Sequence, residues 1–271
     1  AVVRAIPAIN TSTKARSFFD NLDVWAKELG AGGLAYISFN MKNGKISGLG
    51  PIAKFFSDNA LKKLSNLCNS KDGDSIFFIC DQTKEAEKYS GLVRIKIANE
   101  LNLIEKNVFK FCWITDFPIY QYDEEKKKLD FSHNPFSMPN ISYDEFDSID
   151  PLKILAKQYD LVCNGVEISS GAIRNHLPKL MYKVFSKVGY KKSDVDKKFS
   201  GMIRALSFGA PPHGGMAPGI DRIVMILANE DNIREITLFP LNQNAQDLLM
   251  NAPADISDNQ LKELNLKIIK K

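Results

Sequence analysis

Cysteine is scarce: the chain has Cys68, Cys80, Cys112 and Cys163, and no two of them form a CxxC pair. Each sits in or beside an apolar run, which argues against a disulfide framework or a thiolate metal site and for reduced thiols in a cytoplasmic protein. No apolar run approaches the ~20 residues of a membrane-spanning helix, and the N-terminus has no signal-peptide pattern, so no membrane role is expected. Histidine is scarcer still, with three in 271 residues and none in the first hundred. In that first stretch the acids stand singly among lysines, the pattern of a solvated face, and no catalytic constellation forms. Charge is also muted. A net +4 permits a polyanionic partner without arguing for one.

What is present is an ordinary globular composition, 44% hydrophobic and 25% charged, long enough for one large domain or two ordinary ones. The first hundred residues read as a compact α+β unit. Thr11, Ser12, Thr13 and Ser17 offer N-caps for a helix bearing Phe18, Leu22, Trp25, Ala26 and Leu29. Asn43-Gly44 predicts a hairpin turn, and Ser57-Asp58 caps a helix whose apolar face is Leu61, Leu64, Leu67 and Cys68. Ser75–Cys80 is a buried strand and a longer helix follows from Lys84. The chain opens directly on strand-like Val2–Ile6, which suggests a portion of a longer polypeptide.

The stretch Gly214-Gly215-Met216-Ala217-Pro218-Gly219-Ile220-Asp221-Arg222, followed by the apolar run Ile223–Ala228, carries the clearest chemistry. Its glycines allow close backbone approach to a ligand, and a following helix presents free N–H groups to an anion. Arg222, in the first turn, is able to stack on a base or fork onto phosphate oxygens. The residues predict a nucleotide site; taken alone, they fit a Gly/Pro loop entering a core helix equally well.

A second stretch, Tyr159 to Arg174, centres on Asn164-Gly165, the strongest short hairpin signal. A two-residue turn there pairs Cys163 with Val166, Val162 with Glu167 and Asp160 with Ser169. Alternation then puts Asp160, Val162, Glu167 and Ser169 on one face. Two diagonal carboxylates are costly unless a cation lies between them, and Mg²⁺ shared with phosphates would serve. A solvated acid pair reads the same way. Arg174 falls on the opposite parity unless the strand slips by one residue, for which Ser169-Ser170-Gly171 is a plausible bulge.

The glycine-rich stretch resembles motif 3 of the class II aminoacyl-tRNA synthetases, which ends in Gly-hydrophobic-acid-Arg. The flanks Phe208–Gly215, Asp231–Glu235 and Leu238-Phe239-Pro240 are similar to those of bacterial-type aspartyl-tRNA synthetases. The resemblance implies an α+β chain: a small insertion domain of the GAD type over 1–109, then the C-terminal part of an antiparallel-sheet catalytic domain with flanking helices over 110–271. It implies ATP contacts at Glu167, Gly219, Ile220, Asp221 and Arg222, Mg²⁺ at Asp160 and Glu167, and L-aspartate at Arg174 and His133. No residue is implied as a catalytic acid or base. In most bacterial relatives a second histidine follows His133, where this chain has Asn134, and Leu241 replaces the usual lysine after Phe239-Pro240. His176 and His213 are assigned no catalytic role.

The family's anticodon-binding domain, motif 1 and motif 2 have no counterpart in these residues. The resemblance therefore implies a cytoplasmic, homodimeric parent protein acting on tRNA, ATP and L-aspartate, with this portion inactive alone. It leaves open whether the parent charges tRNA-Asp only or tRNA-Asn as well. A non-catalytic tRNA- or partner-binding module derived from the synthetase is the alternative.

Overall fold

The structure, a computed structural model, describes residues 1–42 and 45–269, so the expected Asn43-Gly44 turn lies outside the described residues. The chain divides into two compact units, Ala1–Val108 and Phe109–Lys271. Both are α+β, and each is built on a four-stranded antiparallel sheet.

In the first unit the elements run β1 (Val2–Ala8), α1 (Arg16–Glu28), β2 (Ala35–Lys42), β3 (Lys45–Leu49), α2 (Asp58–Leu67), β4 (Ser75–Asp81) and α3 (Thr83–Glu100). The strand order is β1-β4-β2-β3. Alternation along β4 sends Phe77 and Ile79 to a core with Phe19 and Leu22 of α1 and Val93 and Ile97 of α3. Ile76 goes to the other face, where Ile37, Phe39 and Leu61 of α2 cover it. Each such buried side chain contributes about 1.5–3 kcal/mol. The sheet is thus covered on both sides.

Two local expectations give way to packing. Ala15 precedes α1 and no side chain caps it. Thr11 is instead fully buried, its hydroxyl donating to Ser75 Oγ at 2.6 Å, and Ser75 Oγ also lies 2.7 Å from Ser38 Oγ. Ser57 does cap α2, accepting from Ala60 N. Leu67, expected on the buried face of that helix, is 82% exposed because it lies at the last turn.

The second unit runs β5 (Phe111–Pro118), β6 (Tyr120–Asp123), β7 (Lys128–Phe131), β8 (Leu155–Cys163), β9 (Val166–Ile173), α4 (Pro178–Ser186), α5 (Lys192–Ser207), β10 (Gly214–Pro218), α6 (Ile220–Leu227) and α7 (Asp258–Glu263). Its main sheet has the order β10-β9-β8-β5, with β6 and β7 as a separate hairpin. Helices α4 and α5 pack through Met181, Phe185, Val195 and Ile203. Phe185 and Phe199 from this cluster contact Phe136, which places that ring beside the sheet's β9 end. Gly171 is required by close approach: a Cβ there would meet Gly215 O and the Tyr159 ring, each at 2.5 Å.

Candidate active site

Asn164 and Gly165 both have positive φ, 50° and 83°, as a type I′ turn requires, and they join β8 to β9 in two residues. The pairs Cys163–Val166 and Val162–Glu167 follow. The register then shifts: Leu161 pairs with Ser169, so Ile168 is the extra residue of a bulge, and Asp160 pairs with Ser170 rather than with Ser169. Ser169 is thereby sent to the opposite face. The slip lies earlier than Ser169-Ser170-Gly171, and packing explains it. Ile168 joins Cys163 and Ile223, Ile226 and Leu227 of α6 around an apolar cavity of about 220 Å³.

The consequence is one continuous polar face. Val162–Glu167, Asp160–Ser170 and Gln158–Ala172 present their side chains to the same side, and Arg174 continues it two residues beyond Ala172. Gln158, Ser170, Ala172 and Arg174 line a cleft of about 620 Å³, with Gly215 and Ala217 of β10 opposite them and Asn134 at the side. Small residues at Ala172, Gly215 and Ala217 leave the space open.

At one end of this face stands Arg222. Gly219 donates its N–H to Ile168 O at 2.8 Å and starts α6, so the bulge also fixes where the helix begins. Arg222 Nη1 donates to Glu167 O at 2.8 Å and to Glu167 Oε1 at 2.9 Å. Both side chains are 44% exposed, so the pair is worth at most about 1 kcal/mol and is easily exchanged for other partners. Ile220 and Asp221 occupy the exposed first turn, where helical N–H groups lack intrahelical acceptors.

Asp160 occupies the middle of the face, and its Oδ1 is buried with no hydrogen-bond partner. A carboxylate oxygen left in that state suits a cation, and with Glu167 on the same face the donor set fits Mg²⁺, which takes one or two carboxylates plus substrate oxygens. Among the described residues, no group of three or more His, Cys, Asp or Glu could hold a metal by itself.

At the other end, Arg174 is half-buried and fixed by its surroundings. Its N–H donates to His213 O at 2.8 Å, it bridges to Ser137, and its guanidinium lies 5.6 Å from the centre of the Phe136 ring. His133 is exposed, edge-on to Phe117 at 5.5 Å, and it is the neighbouring Asn134 that lines the cleft. Asn134 Oδ1 accepts from Phe136 N and holds the turn between them. Gln158 and Ser170 were not singled out from the sequence. Gln158 was within reach, since alternation back from Asp160 puts it on the same face.

A four-stranded antiparallel sheet with a glycine-rich strand running into a helix that carries an arginine in its first turn defines the class. Residues 21–243 match the family described as tRNA synthetases class II (D, K and N), and the chain belongs to that family. It is 58% identical over 266 residues to the aspartate–tRNA(Asp/Asn) ligase of Pelagibacter ubique, covering 98% of this chain and 45% of that protein. It is 56% identical over 275 residues to the ligase of the same name from Orientia tsutsugamushi, covering 100% and 45%. With that of Paramagnetospirillum magneticum the identity is 56% over 268 residues, covering 99% and 30%. The chain spans less than half the length of these relatives.

Proposed function

We propose that these 271 residues are part of an aspartate–tRNA ligase that activates L-aspartate with ATP and passes it to tRNA. The observation that carries this reading is the bulged β8–β9 hairpin, which aligns Glu167, Asp160 and Arg174 on one face with Arg222 bonded to Glu167. The α-carboxylate of aspartate attacks the α-phosphorus of ATP and pyrophosphate leaves; a hydroxyl of the tRNA 3′-terminal ribose then attacks the aspartyl carbonyl and AMP leaves. Such chemistry needs positioning and charge neutralisation more than general acid–base catalysis.

In this reading Arg222 leaves Glu167 to hold the adenine and γ-phosphate, assisted by Gly219, Ile220 and Asp221 at the start of α6. Asp160 and Glu167 hold Mg²⁺, which when bound offsets phosphate charge. Arg174 takes the aspartate side-chain carboxylate with its planar fork, with His133 read as a second contact to the amino acid and Asn134 beside it lining the cleft. The unit Ala1–Val108 is read as a GAD-type insertion domain. The names of the relatives extend the proposal to both tRNA-Asp and tRNA-Asn; the cytoplasmic homodimer is carried by the family resemblance alone.

The test is aspartate-dependent ATP–pyrophosphate exchange by the complete polypeptide carrying this chain, followed by charging of both tRNAs. Exchange with aspartate but not asparagine supports the reading. tRNA binding without exchange would instead fit a non-catalytic module. The 271 residues alone are expected to show no aminoacylation. Aspartyl-tRNA formation by a chain of verified mass would overturn the assignment of roles.

A further inference from the structure

Gln158 lies on the cleft face of β8, and no hydrogen bond to its carboxamide occurs among the described residues. Its amide atoms are not among the buried side-chain atoms that lack a partner, so the carboxamide opens into the cleft and is available to a ligand there. Its neighbours say what it would meet. Gln158 pairs with Ala172, whose side chain is too small to reach it, and Arg174 is the next residue on that face of the adjoining strand. Diagonal neighbours on a sheet face are within reach of each other's long side chains. Both residues line the same cleft, and neither bonds the other. The space between two such groups, one a forked cation and one a neutral amide, fits a small carboxylate.

We infer that Gln158 is a specificity-determining residue for the amino acid. Its Nε2–H donates to the side-chain carboxylate that Arg174 holds, supplying a neutral donor beside the charged fork. This rests on the aspartate-activating reading above and adds to it a residue outside the set read from the sequence. Glutamine serves here because it donates without adding charge. A glutamate of the same shape would repel the carboxylate and would itself pair with Arg174, while methionine keeps the length and removes the donor.

The experiment compares Gln158→Met, Gln158→Glu and Arg174→Lys in the complete polypeptide by ATP–pyrophosphate exchange, with KM measured separately for aspartate and ATP. Gln158→Met is expected to raise the aspartate KM about 10- to 100-fold, the effect of a lost hydrogen bond to a charged group. Its ATP KM should stay within about twofold, and thermal stability should hold, because the amide bonds nothing within the protein. Gln158→Glu should be worse than Gln158→Met. A structural role for Gln158 would move stability and both KM values together. If Arg174→Lys disables aspartate use while Gln158→Met leaves the aspartate KM unchanged, the inference falls and the proposed function stands. If the unsubstituted protein shows no aspartate-dependent exchange, both fall.

Discussion

The two units treat buried polar groups in opposite ways. In the first, Thr11, Ser38 and Ser75 satisfy one another across two strands and a loop, and Asp74 accepts from the N–H groups of Asn10 and Lys71. Its sheet is sealed by helices on both faces. The second unit holds four of the five buried side-chain atoms that lack a partner among the described residues: Ser137 Oγ, Asp160 Oδ1, Ser169 Oγ and Asn175 Nδ2. Three of these lie on β8, β9 or the Ser137–Arg174 bridge, and the fourth directly follows Arg174. Its strand β5 leaves Phe111 61% and Trp113 56% exposed. The first unit spends its polar groups on its own stability. The second leaves some unpartnered, and of these Asp160 stands on the same face of β8 as Gln158, which lines the cleft.

The largest effect that could break this contrast is at Arg174. In the complete polypeptide Arg174→Lys keeps the charge but loses the planar fork. Aspartate-dependent exchange should drop by at least about 10²-fold, the scale of a lost transition-state donor, while ATP affinity hardly changes. Near-normal aspartate kinetics would move the amino-acid site elsewhere.

Next in size is a paired stability measurement. Thr11→Val in the first unit removes a hydroxyl that donates at 2.6 Å inside the core and should cost about 1–3 kcal/mol in denaturant unfolding. Ser169→Ala in the second removes a hydroxyl with no partner, and stability should stay within ~0.5 kcal/mol of the parent. Equal losses would erase the distinction between satisfied and unspent polar groups.

The smallest effect concerns acid. Burial opposes the charged form of Asp23, but hydrogen bonds from the Lys27 ammonium and the Leu34 N–H outweigh it and hold the carboxyl below its ordinary value. A depressed carboxylate stabilises the fold above the unfolded value of about 3.9, and that stabilisation is lost as pH falls through the folded one. Melting temperature followed from pH 6 to pH 2 should therefore fall less steeply in Asp23→Asn than in the parent. Parallel curves would show that the carboxylate contributes nothing.

Much of this was legible in the sequence where the signal is local. Asn164-Gly165 specifies its turn because both positions need positive φ, and Ser57 caps its helix with its own hydroxyl. The rest depends on partners far along the chain. Thr11 looks like a cap until Ser75 and Ser38 claim its hydroxyl. Ser169-Ser170-Gly171 looks like a bulge because the residues are small, yet Gly171 is small to let Tyr159 and Gly215 approach. The extra residue is Ile168, chosen because α6 needs an apolar partner. Alternation alone would have marked Gln158. Asn134, by contrast, reaches the cleft through a loop path that no periodicity encodes.

The one-residue slip at Ile168 is proposed to make a single site with Arg222 at one end and Arg174 at the other. A crystal structure of the protein with a non-hydrolysable aspartyl-adenylate analogue tests it most directly. The account predicts one ligand spanning the face, its carboxylate on Arg174 and its adenine against Arg222, with the Arg222–Glu167 bond opened or rearranged. A ligand bound away from this face, or touching one arginine while the other stays remote, would contradict it.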